Sequence, residues 1–115
     1  MNEITLNENS YRLLDTGDGE PVLIITSREE TELLSTQLEL DKRDHKLRAL
    51  RLNISAVTSS FFGNKESMNL KSLARDIHAL LDIYWLDHVY LFSDHLNHRQ
   101  LAKLQTHLGY RATIF

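Results

Sequence analysis

The sequence predicts an α/β fold: a mostly parallel β-sheet with helices on both faces, entered through an N-terminal β-hairpin or meander. The element order is β-β-β-α-β-α-β-α-β. Three observations lead there. Val22-Leu23-Ile24-Ile25 is a continuous apolar run of the kind found in strands buried on both faces, as parallel-sheet strands are. Strand-like and helix-like periodicities alternate along the chain, which implies crossover units. The 115 residues suffice for one core and are too few for two, so 1–115 reads as a single domain.

Each element has a local reason. Ile4-Thr-Leu-Asn and Tyr11-Arg-Leu-Leu read as the paired strands of the hairpin or meander. Asp15-Thr-Gly-Asp-Gly-Glu-Pro21 is the densest turn cluster, and Val22 to Thr26 follows it as the first buried strand. Ser27-Arg-Glu-Glu30 has capping-box spacing, with Leu33, Leu34 and Leu38 as a modest apolar stripe behind it. Leu47 to Asn53 is a strand with Leu50 and Leu52 on one face. Residues 54–68 read as a Ser/Thr-rich loop around Phe61-Phe62-Gly63. Asn69 is placed as an N-cap, with Met68 and Leu73 spaced as a hydrophobic staple. Leu70, Leu73, Ile77, Leu80 or Leu81 and Tyr84 mark the strongest helix of the chain. His88 to Phe92 is a strand. Leu101, Leu104 and Leu108 mark a last helix closed by Gly109, and Ala112-Thr-Ile-Phe115 is a short final strand. In such sheets ligands bind at the carboxyl ends of strands. Those ends are Thr26-Ser27, Asn53 onward and Ser93-Asp94-His95.

Composition removes several function classes. Thirteen Lys+Arg against sixteen Asp+Glu give a formal charge of −3, which argues against general nucleic-acid or anionic-membrane binding. With zero Cys there are no disulfides, thiolate metal sites or thiol nucleophiles. No apolar run approaches the about 20 residues of a spanning helix, and the N-terminus has no signal-peptide pattern. The expectation is a soluble cytoplasmic protein.

Leu14-Asp-Thr-Gly-Asp-Gly-Glu-Pro-Val-Leu-Ile-Ile25 resembles the opening of α/β-hydrolase-fold proteins, where a hairpin and Gly-rich turn lead into the first parallel strand. Asn69-Leu-Lys-Ser-Leu-Ala-Arg-Asp-Ile-His-Ala-Leu-Leu81 with Trp85-Leu-Asp-His-Val-Tyr-Leu91 resembles the helix and strand that deliver that family's nucleophile. The resemblance runs over almost the whole chain and covers only the family's N-terminal half. It implies a truncated α/β-hydrolase-like fold with sheet order 1-2-4-3-5-6. The chemistry does not carry over. The family's elbow is G-x-S-x-G, whereas this chain has Ser93-Asp94-His95-Leu96-Asn97, with His95 in the nucleophile's place. Thr26-Ser27 stands where the oxyanion loop usually begins His-Gly, and the triad's acid and histidine fall beyond Phe115. A second resemblance is to the C-terminal end of GNAT acetyltransferases, carried by His88-Val-Tyr-Leu-Phe and Leu108-Gly-Tyr110. It implies acyl-CoA binding, but Phe62-Gly-Asn-Lys-Glu-Ser-Met lacks the glycine-rich pyrophosphate turn.

Among six histidines, His95 and His98 with Asp94 form the only compact cluster. Three residues apart, the two histidines share a face only if one helix contains both; no third metal ligand is evident. The competing reading is a helix start, with Asp94 or Asn97 as N-cap and Gln100 completing a capping-box variant. His45, His78, His88 and His107 read as exposed or singly hydrogen-bonded. Phe61 and Phe62 form either an anchor or a binding patch. Tyr84-Trp85 read as a packed helix-to-strand corner or a partner contact. Lys42-Arg43 and Arg48 to Arg51 read as a solvated basic face.

A short edge ending in Ile114-Phe115 is a template for pairing with another chain, so a homodimer through the C-terminal edge strand is expected. The leading expectation is a non-catalytic binding or interaction protein, without cofactor or metal, contacting a protein partner or small ligand through Ser27, Ser93, Asp94, His95 and His98. The alternatives are an enzyme with His95 as base and Asp94 orienting it, or a divergent acyl-CoA-binding protein.

Overall fold

The structure, a computed structural model, describes residues 2–27, 47–55 and 70–115. Its strands are β1 (Asn2–Leu6), β2 (Asn9–Gly17), β3 (Glu20–Thr26), β4 (Leu47–Asn53), β5 (Val89–Ser93) and β6 (Ala112–Ile114). Its helices are α1 (Leu70–Ile83) and α2 (His98–Leu108). The six strands form one sheet in the order β1-β2-β4-β3-β5-β6, the neighbour order written above for the family topology.

The sheet is mixed rather than mostly parallel. β1·β2 and β2·β4 run antiparallel, while β4·β3, β3·β5 and β5·β6 run parallel. Two short reversals account for the difference: the β1–β2 turn makes that pair antiparallel, and the Gly17–Glu20 reversal sets β2 against β3 and so against β4, which runs parallel to β3. The β1–β2 turn is Asn7-Glu8, with φ of 49° and 74°, the double positive φ of a type I′ turn. The helix expected after Ser27 and the loop and N-cap expected over 56–69 lie outside the described residues. Both described helices pack on the same face of the sheet, so helices on both faces are not seen among the described residues.

β3 is the central strand, and Val22 through Thr26 are all fully buried. Leu23 and Ile25 join Leu50, Leu52, Val89 and Leu91 under the two helices. Val22 and Ile24 face the other way, with Leu47, Ala49, Tyr90, Phe92 and Phe115. This period of two fixes the register, since a one-residue slip would exchange the two faces. Gly17 ends β2 at φ 93°, where a Cβ would collide with the Leu47 carbonyl oxygen.

α1 buries Leu70, Leu73, Ala74, Ile77, Leu80 and Leu81, the predicted stripe, at about 1.5–3 kcal/mol per large side chain. One further buried residue on that helix is Asp76. Its Oδ1 accepts from Asn7 Nδ2 (3.0 Å) and its Oδ2 from Asn9 Nδ2 (2.9 Å) and the Tyr11 hydroxyl. The helix therefore grips the hairpin through a carboxylate as well as through apolar contact.

The basic segment of β4 is not a solvated face. Arg51 is buried on the Val22–Ile24 side and donates from Nη1 to Thr16 Oγ1 at 2.7 Å. Arg48 pairs with both oxygens of Asp15 (3.0 and 2.7 Å), and its guanidinium lies 5.5 Å from the centre of the Tyr84 ring. β-strand alternation sends these two arginines to opposite faces, which a count of basic residues does not show. Lys42-Arg43, Phe61 and Phe62 lie outside the described residues.

Candidate functional site

β3 and β5 are parallel neighbours with Ile25 opposite Ser93, so their carboxyl ends stop level. β4 pairs on the other side of β3, with Asn53 opposite Thr26. The three strand ends picked out from sequence thus lie side by side. Ile54 N donates to Thr26 O (2.8 Å), and Ser55 N to Asn53 Oδ1 (2.9 Å), which folds the chain back after β4.

Two side-chain pairs bridge β3 and β5 at this rim. Thr26 Oγ1 donates to Asp94 Oδ2 at 3.1 Å. Ser27 Oγ lies 3.0 Å from His95 Nδ1, at an exposed position. Which of them donates depends on the imidazole tautomer. Chemically the rim offers a hydroxyl, an imidazole and a half-buried carboxylate. These suit polar or carbonyl groups, and a serine beside a histidine is also the first requirement of an activated nucleophile.

Ser93 has a different role. Its hydroxyl donates to Ile25 O (2.7 Å) and accepts from the amides of His95 (3.1 Å) and Leu96 (2.9 Å). One donor and two acceptor positions are all a hydroxyl has, so Ser93 is saturated by its own backbone. It ties the segment after β5 to β3 and has nothing left for a ligand. The Leu96 amide follows His95, and in a nucleophile elbow the amide after the nucleophile helps to bind the oxyanion. Here that amide is occupied.

The segment is also not a strained elbow. Among the described residues the positive-φ positions other than glycine are Asn7, Glu8 and Trp85, and His95 is not one of them. α2 starts only at His98. Asn97 is its N-cap, with Asn97 Oδ1 accepting from Gln100 N (2.8 Å) and Gln100 Oε1 from Asn97 N (2.9 Å). The capping box read from sequence is present. His95 lies before the cap and His98 inside the helix, so the shared helix face needed for a two-histidine metal site does not form. Asp94 is engaged by Thr26, and the imidazole of His95 by Ser27. The pair that sequence reading missed is Ser27 with His95, since the two are 68 residues apart.

Two other described histidines hold local structure, and His45 lies outside the described residues. His88 Nε2 is 2.7 Å from Thr113 Oγ1, joining β5 to β6. His78 sits between the His107 carbonyl (3.4 Å) and Arg111 Nη1 (3.2 Å). The Phe62–Met68 segment weighed for acyl-CoA lies outside the described residues. Among the described residues no helix is long and apolar enough to cross a membrane.

No protein-family model matches the sequence, and no curated protein does. Solved structures do match in fold. An epoxide hydrolase variant from Vigna radiata superposes with a TM-score of 0.65 at 19% identity, over 96% of this chain and 35% of that one. A second Vigna radiata epoxide hydrolase gives 0.64 at 18% identity, over 96% and 37%. AqDC, which recognises the Pseudomonas quinolone signal and cleaves its ring, gives 0.60 at 15% identity, over 96% and 43%. The chain thus spans well under half the length of these enzymes. What it shares with them is an α/β-hydrolase-like fold.

Proposed function

We propose that this chain is a non-catalytic binding module built on the N-terminal half of an α/β-hydrolase-like scaffold, assembled as a homodimer, with the β3–β5 rim as its contact surface. Ser27, Asp94 and His95 present polar groups there, exposed His98 opens α2 three residues after His95, and Ser93 holds the rim in shape. The observation that carries this reading is the double acceptance by Ser93 of the His95 and Leu96 amides. A site meant to stabilise an oxyanion keeps its donors free and aimed at the reacting oxygen. Dimerisation rests on β6, a three-residue strand that closes one edge of the sheet order. Two such edges placed antiparallel would satisfy each other's ladder groups. Light scattering should give twice the chain mass; a monomer with intact secondary structure would remove this part.

The test of the main reading is covalent labelling with a fluorophosphonate probe, alongside turnover of short p-nitrophenyl esters. No adduct and no turnover are expected. A second reading is favoured by one observation, the 3.0 Å contact of Ser27 Oγ with His95 Nδ1. On that reading Ser27 is the nucleophile and His95 its base. An adduct on Ser27 that disappears in His95→Ala would establish it and refute the binding-only proposal.

A further inference from the structure

At the opposite end of the sheet the chain spends an aromatic residue where stability does not ask for one. α1 closes with Leu86 N donating to Leu81 O (2.8 Å) and Trp85 N to Asp82 O (3.2 Å). Such a closure needs a left-handed residue, usually Gly or Asn. Here it is Trp85, at φ 58° and 92% exposed. A bulky side chain at that φ is strained, and this one recovers almost no burial. Trp85 forms one wall of an open groove of about 480 Å³, with Leu81, Asp82, Leu86, Asp87 and Arg111.

We propose that this groove receives an arginine side chain of a protein partner, stacked on the Trp85 indole with its guanidinium against Asp87 and Asp82. Charge complementarity selects the occupant. α1 carries no basic residue in its last turn, so the negative end of its dipole needs a cation from elsewhere. Arg111 supplies one but is already committed, to Leu86 O (2.9 Å) and Asp82 Oδ1 (3.0 Å). Asp87 is exposed and has no hydrogen-bond or ion-pair partner among the described residues. An indole face beside the open Asp87 carboxylate, with Asp82 next to it, favours a planar cation that both stacks and forks, which is arginine rather than lysine. Ile83 and Tyr110, each next in sequence to a groove residue (Asp82 and Arg111), are 53% and 87% exposed, apolar area of the kind a protein interface uses.

Trp85 is the only tryptophan in the chain, so its emission reports this groove alone. The protein is titrated at physiological salt with a short arginine-containing peptide and with the same peptide carrying citrulline. A saturable emission change is expected with arginine, and binding about tenfold weaker or more with citrulline. Asp87→Asn should weaken the arginine peptide by about the same factor, while Glu3→Gln on β1 leaves it unchanged. Equal responses to the two peptides, no saturable response, or no effect of Asp87→Asn would overturn the proposal. So would emission that shifts with protein concentration alone, which would assign the groove to a second copy.

Discussion

Replacing Asp76 by alanine should cost about 3 kcal/mol of unfolding free energy. The side chain is fully buried and accepts from three groups of the β1–β2 hairpin. Removing it takes the Asp76 acceptor from the Tyr11 hydroxyl, which is equally buried, at about 1–3 kcal/mol, and takes the same acceptor from half-buried Asn9 for about 1 kcal/mol more. Asn7 reaches solvent and adds little. Alanine returns about 0.5 kcal/mol through better helix propensity. The balance near 3 kcal/mol is a large part of the about 5–15 kcal/mol that holds a typical domain folded. Urea unfolding followed by far-UV circular dichroism measures it, with the midpoint lowered and the slope unchanged. Repeating the substitution in a Tyr11→Phe background tests the cause. With no hydroxyl bound to Asp76, the cost should shrink by about 1–2 kcal/mol. A single-variant cost under about 0.5 kcal/mol would refute the account, and so would an identical cost in both backgrounds.

Other substitutions test other contacts. Burial first, and Asp76 second, push the Tyr11 hydroxyl well above its ordinary pKa. Its folded value exceeds its unfolded one, so its contribution is complete below about pH 10 and falls above it by about 1.4 kcal/mol per pH unit. Wild type should therefore lose alkaline stability faster than Tyr11→Phe, measured by urea midpoints from about pH 9 to 11. Ser93→Ala frees two amides and one carbonyl and should cost about 1–3 kcal/mol in the same assay. Asn97→Ala should cost about 1 kcal/mol and Asn97→Gly only a few tenths, since glycine tolerates the cap geometry. Trp85→Gly should raise stability by about 0.5–1 kcal/mol, the left-handed strain relieved less the added unfolded-state entropy. A loss of stability there would mean that the indole packs.

The parts of the fold legible in the sequence are those set by local rules. The Val22–Ile25 run, the α1 stripe and the Asn97–Gln100 box each specify their structure within a few residues. Gly109 does too: it leaves α2 at φ 65°, with its N–H on Gln105 O. Asp76 was legible only by half. It lies three residues after Leu73 and four before Leu80, so its spacing puts it on the buried stripe, while its charge argues against burial. The conflict resolves once the hairpin turn places Asn7, Asn9 and Tyr11 over it, which periodicity cannot foresee. Arg51 is similar, since strand alternation directs it inward, where it donates to Thr16 on β2.

The rim follows a different logic. The β3–β5 ladder pairs Val22 with Tyr90 and Ile25 with Ser93, a constant offset of 68. Continued past the last ladder pair, that offset matches Thr26 with Asp94 and Ser27 with His95, the two side-chain pairs observed. Backbone register therefore brings the serine and histidine together, and any sequence with those residues at those ladder positions would do the same. Their proximity alone does not argue for catalysis. What distinguishes a reactive site from a polar rim is the state of the donors around it, and that is decided by one hydroxyl. A glycine at 93 would have left the His95 and Leu96 amides open to an incoming oxygen; the serine closes on both and anchors them to Ile25. The same hydroxyl that ties the rim to β3 occupies the amides an oxyanion would need, and the binding proposal rests on that occupancy.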